Sequence, residues 1–136
     1  VSAYAKNTKV PISRSRDQIT ELLRQWQCTG VGWQDDFDAG IAELQFRFLH
    51  ADKVYGARFR INVDEGQDGR VAHRVLLLWI KASLEAVSAG LVDVEAIFLP
   101  WLVHSDGRTH YETMRPVFDG LPVGNLAGLL TQGNGS

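Results

Sequence analysis

At 136 residues, with 45% apolar and 22% charged side chains, the chain suits one soluble domain large enough to bury a core without cross-links. A formal net charge of −2 supplies no bulk attraction to nucleic acid or anionic membrane, so any such binding requires a local patch. The single cysteine, Cys28, excludes an internal disulfide, and the longest apolar run, Val75–Ile80, is far too short to cross a bilayer.

The first residues, 1–12, read as a basic arm carrying Lys6 and Lys9, with Pro11 disfavouring helix at Val10. A helix follows, in which Ser13 or Ser15 can cap and Ser15 with Gln18 matches the capping-box spacing. Ile19, Leu22, Leu23 and Trp26 repeat along one face of it, and Thr29-Gly30 closes it. Val31–Gln34 reads as a short strand before the turn-rich Asp35–Gly40. From Ile41 to Phe48, Ala42, Leu44, Phe46 and Phe48 alternate with Glu43, Gln45 and Arg47. After His50–Lys53 the alternation resumes, with Tyr55, Ala57, Phe59, Ile61 and Val63 inward and Arg58, Arg60 and Asn62 outward.

The acidic loop Asp64–Gly69 leads into the stretch His73–Gly90, the expected spine of the core. On a helical wheel only Arg74, Lys81, Glu85 and Ser88 make a polar stripe, with Leu78 at its edge. Gly90 can end the helix in the left-handed conformation. Asp93 opens a short helix that Pro100 disturbs, and Trp101–Val103 reads as a short buried strand before Asp106-Gly107. Beyond it the spacing favours a helix from His110 to Phe118, bent by Pro116, with a hairpin as the other reading. The Gly-rich tail, 121–136, holds an apolar patch of Leu126, Leu129 and Leu130.

Two stretches, YAKNTKVPISRSRDQITELL and LLLWIKASLEAVSAGL…FLPWLVHSDGRT, resemble a set of small uncharacterised bacteriophage and prophage proteins. The shared elements fall at Tyr4–Thr8, Ser15–Trp26, Leu77–Glu85 and Asp106–Thr109. The resemblance implies a phage context, hence the cytoplasm of an infected or lysogenic bacterial host, and it carries no activity and no functional residues. The chain departs from the pattern at Pro100 and in the tail.

Candidate chemistry is sparse. His104, Asp106, His110 and Glu112 have metal-ligand side chains, but a two-residue turn at Asp106-Gly107 puts the histidines on opposite sheet faces, and a helix splays His110 from Glu112. No nucleophile elbow surrounds Ser83 or Ser88, a helix C-terminus at Cys28 would raise its pKa, and Gly30-x-Gly32 lacks the rest of a dinucleotide fingerprint. No cofactor, metal or catalytic residue is therefore assigned. The outward strand positions are the stronger lead. Arg47, Arg58 and Arg60, joined by Lys6, Lys9, Arg14 and Arg16, can form a basic surface for phosphates.

The expectation is an α+β fold in one domain over 13–120. An N-terminal helix, an antiparallel sheet of about three strands, a long buried helix packed on it and small C-terminal helices make it up. The expected function is a non-enzymatic accessory protein of phage nucleic-acid metabolism, binding DNA or RNA through the arginine face and the arm. The alternative is a protein–protein module or homo-oligomer that uses Leu78, Leu126, Leu129 and Leu130, as a subunit of a phage assembly or a modulator of a host protein. A metal-dependent enzyme is third. No membrane partner is expected.

Overall fold

A computed structural model describes residues 9–63, 68–122 and 124. In chain order the elements are α1 (Ile12–Gln25), β1 (Cys28–Asp36), β2 (Ile41–His50), β3 (Lys53–Asn62), α2 (Gly69–Ser88), α3 (Val94–Phe98), a 3-10 turn (Leu99–Trp101) and α4 (His110–Phe118). The three strands form one antiparallel sheet in sequence order, so the protein is α+β. Among the described residues no helix is long and apolar enough to cross a membrane.

Period-two alternation builds the sheet. Ala42, Leu44 and Phe46 on β2 lie opposite Ile61, Phe59 and Ala57 on β3 and opposite Asp35, Trp33 and Val31 on β1. This inner face takes the helices. α2 lays Leu76, Leu77, Ile80 and Leu84 into the core, and α1, packed against α2 and β1, adds Ile19 and Leu23. Phe46 sits in the middle of the aromatic cluster, with ring centroids 5.9 Å from Phe59, 5.5 Å from Phe98 and 6.1 Å from Phe48.

Several ends differ from the sequence expectation, each for a local reason. α1 begins after Pro11, and Ser15 is wholly buried in its first turn, where it caps nothing. The helix closes at Trp26 and at Gln27, whose φ of 68° breaks it, and Thr29-Gly30 already belong to β1. β1 therefore runs for nine residues, with a register shift between Cys28 and Gly30. α2 starts four residues before His73 because Asp68 caps it, accepting from the Arg70 N–H at 2.9 Å. Gly90 follows it with φ +76°, as its position implied. Trp79, on the apolar side of the wheel, keeps 38% of its surface exposed at the rim of the core.

The C-terminal segment folds back along β3. Leu102 bridges Ala57, and the Val103 N–H donates to the Gly56 carbonyl at 2.8 Å, so Trp101–Val103 contributes bridges instead of a full strand. β3 is thus covered at Gly56 and Ala57 on the side away from β2.

α4 opens on a complete capping box, in which the Thr109 hydroxyl accepts from the Glu112 N–H at 3.2 Å and the Thr109 N–H donates to the Glu112 carboxylate at 3.0 Å. Pro116 has no N–H for the Glu112 carbonyl four residues back. The Arg108 guanidinium donates to that carbonyl at 3.0 Å and replaces the missing bond. Thr109→Ala should therefore lower stability by about 1 kcal/mol. An unchanged urea midpoint would count against the box.

Candidate nucleic-acid interface

The outward strand positions line up by register into short rows across the sheet. Gly30, Arg47 and Gly56 make one row, Gly32, Gln45 and Arg58 the next, and Gln34, Glu43 and Arg60 the third. Three of these positions are glycine, which leaves bare backbone in the middle of a sheet face. Glycine inside a strand weakens it and marks places where a ligand or another backbone comes close. Gly30, Gly32 and Gly56 floor a groove of about 450 Å³, with Arg47, Arg58 and Val103 at its sides.

Arg47 is the cation this groove leaves available. It is exposed, and no acid pairs with it among the described residues. Its guanidinium fills the volume that a side chain at position 30 would need. A Cβ there would lie 2.6 Å from Nη2 and 2.9 Å from Nε. Glycine at position 30 is what lets the arginine lie across β1.

Its neighbours are committed within the chain. The Arg58 guanidinium donates to the Glu112 carboxylate at 2.7 Å and to the Gly107 carbonyl at 2.8 Å, with Nε 3.7 Å from Glu43. Arg60 donates from Nε to Glu43 at 2.8 Å. Glu43 also takes a hydrogen bond from Gln45. Burial raises the Glu43 carboxyl, but the bonds from Arg60 and Gln45 outweigh it and hold it below its ordinary range. Glu112 is driven down to about 2, first by the Thr109 N–H and hydroxyl and then by Arg58. Both carboxylates are charged at neutral pH and cancel much of the positive potential of this face.

The remaining expected cations lie elsewhere. Arg14 and Arg16 ride on α1, which packs on the inner face, so they do not extend the surface that carries Arg47. Lys9 is exposed just ahead of that helix, and Lys6 lies outside the described residues. Arg16 is engaged on both sides. It forks onto Asp35 at 2.6 and 3.1 Å, stacks over Trp33 at 4.8 Å and donates from Nε to His73 Nε2 at 3.0 Å. Of the interface candidates, Leu78 is half-buried in the hollow between α1 and α2, and Leu126, Leu129 and Leu130 lie outside the described residues.

The two histidines of the Asp106-Gly107 turn meet, contrary to the hairpin reading. Val103 pairs with Thr109 and α4 begins at once, which swings His110 beside His104. Their Nε2 and Nδ1 atoms are 3.0 Å apart. Glu112 turns away to Arg58, and among the described residues no three His, Cys, Asp or Glu side chains converge as metal ligands. Cys28 lies in β1 and not at a helix end. Burial pushes its thiol up to about 11, so it is protonated at neutral pH.

Alternation puts Arg47, Arg58 and Arg60 on one face, and the strand register agrees. Glu43 stands on the same face as a balancing charge by alternation, whereas the glycine floor and the second neutralising carboxylate, Glu112, are not foreseen. A glycine at every second position of a strand, as at 30 and 32, was the signal available. No family model matches the chain, and neither does any curated protein or solved structure. The α+β class stands on the fold itself.

Proposed function

We propose that the protein is a non-enzymatic accessory factor that binds nucleic acid on its outer sheet face, with Arg47 as the leading phosphate contact. The observation that carries this reading is an exposed arginine, with no acid partner among the described residues, lying in a glycine-floored groove. The bare backbone admits close approach of a strand, and the guanidinium fork suits a phosphate bidentately. Arg58 can contribute only by exchanging its internal partners for phosphate, and Arg60, half exposed, is bonded to Glu43 through Nε, so the contact is small. A phage setting for this role is supported by the sequence resemblance.

Small contacts have a characteristic salt dependence. With one or two phosphates neutralised, log K should fall against log salt with a slope of about −1 to −2, at affinities of about 10⁻⁴ to 10⁻⁶ M. Fluorescence anisotropy of labelled single- and double-stranded oligonucleotides at several salt concentrations measures both. Arg47→Glu should abolish the signal. Gly30→Val, which displaces the guanidinium, should weaken it. No binding at low salt, or binding indifferent to Arg47→Glu, refutes the proposal.

A protein-binding role is the second reading. Leu49 and Val54, opposite each other at the end of the same face, are 54% and 64% exposed and offer an apolar contact beside Arg47.

A further inference from the structure

We propose that the exposed stripe of α4 is a self-association surface and that the chain forms a two-fold symmetric dimer through it. α4 has no buried residue. Tyr111, Met114 and Phe118 lie along one side, and Leu121 follows within a turn, its N–H bonded to the Phe118 carbonyl at 3.0 Å. All four are 40–65% exposed. The stripe continues onto the domain body through ring contacts, with Trp101 6.2 Å from Tyr111 and Trp79 6.2 Å from Trp101. Leu99 is exposed on the 3-10 turn, which packs against α4.

The spacing argues for a second copy as occupant. A two-fold interface must be self-complementary, each residue i meeting j while j meets i. The intervals from Tyr111 to Met114, Phe118 and Leu121 are three, four and three residues, and they read the same in both directions. An antiparallel pairing centred on position 116 therefore sets Met114 against Phe118 of the other copy and Tyr111 against Leu121. The centre carries no unopposed charge, because Arg115 is paired with Asp119 at 2.8 Å and lies over the Phe118 ring at 5.6 Å. The other face of the helix is already used, with Glu112 on Arg58.

The area is consistent with a reversible dimer. Tyr111, Met114, Phe118, Leu121, Trp79 and Leu99, on average about half exposed and of roughly 200 Å² each, present roughly 600 Å² per copy, or about 1,200 Å² in total. That is the lower end of the range for specific interfaces, about 1,200–2,000 Å², so a micromolar dissociation constant is expected. The surface is separate from the Arg47 groove, and neither proposal depends on the other.

Sedimentation velocity on the full chain, from about 1 to 200 µM, tests this directly. A concentration-dependent monomer–dimer equilibrium is expected, weakened at least about tenfold by Met114→Glu or by Phe118→Glu. Both positions are exposed, and an unchanged circular dichroism melt confirms that each variant is folded. Leu49→Lys/Val54→Lys, on the outer sheet face, should leave the dimer intact. A wild-type chain that stays monomeric throughout overturns the proposal, as does a dimer that survives both glutamate substitutions or dissociates with the sheet-face pair. A monomer that dimerises only when shortened after Gly124 assigns the stripe to the chain's own C-terminal segment, and also overturns it.

Discussion

Phe46→Ala should cost about 3–5 kcal/mol, the cost of truncating a packed core aromatic. For a domain whose total stability is about 5–15 kcal/mol, that is a large part of the whole. Phe46 is 2% exposed and touches the rings of Phe48, Phe59 and Phe98, which come from the same strand, the next strand and α3. Few residues join so many elements. No single neighbour can collapse into the space left, so the cavity term adds to the transfer term. Phe37 is the control. It is 90% exposed in the β1–β2 turn, and Phe37→Ala should change stability by under about 0.5 kcal/mol. Urea unfolding of the two variants, followed by tryptophan fluorescence, measures the difference. Equal losses at the two positions would mean that the core is not centred on Phe46.

That core is legible in the sequence because strand alternation and helix periodicity are local signals. Ala42, Leu44, Phe46 and Phe48 could face only one way, and the outward arginines had to share the other face. The strand expected at Val31–Gln34 is about half the observed length because Thr29-Gly30 has the composition of a helix end and Asp35-Asp36 that of a turn. The capping residue of α1 was misplaced for a different reason. Ser15 and Gln18 have the right spacing, yet burial of Ser15 against the rest of the fold decides its role.

The site was only partly legible, since its electrostatics depend on register and distant contacts. Nothing local to Arg58 announces Glu112, which arrives from 54 residues away. Arg47 meets Gly30 through the β1–β2 register, including the shift at Cys28–Gly30, which sequence alone does not specify. The same holds for His104 and His110. A one-residue difference in pairing and an immediate helix start turn two splayed rings into a contacting pair.

Stability between pH 7.5 and 5.5 should fall more steeply in the wild type than in His73→Asn. His73 is 0% exposed, its Nδ1 is 2.6 Å from the Gly69 carbonyl, and Arg16 donates to its Nε2. Arginine has only donors, so Nε2 must accept and the ring proton sits on Nδ1, which donates to Gly69. The ring is therefore held neutral. Burial is the main cause of its lowered pKa. The Gly69 bond opposes that shift, Arg16 adds to it, and Asp35 opposes it. Above the unfolded-state value of about 6.5, neither state is protonated and the full stability is present. Below that value the unfolded chain takes up a proton that the folded ring refuses, so stability drops by up to about 1.4 kcal/mol per pH unit until the folded pKa is reached. Asp35, held low chiefly by its bonds from Arg16, adds a further loss only at more acidic pH, below its ordinary value of 3.8. Arg16→Ala removes one cause of the lowered His73 pKa and should flatten the slope between pH 7.5 and 5.5, besides costing about 1–3 kcal/mol for the lost donor and ion pair. His50, His104 and His110 remain in every variant, so the difference in slope isolates His73. Parallel wild-type and His73→Asn curves, from urea titrations at each pH, would show that the ring is not held neutral by its surroundings.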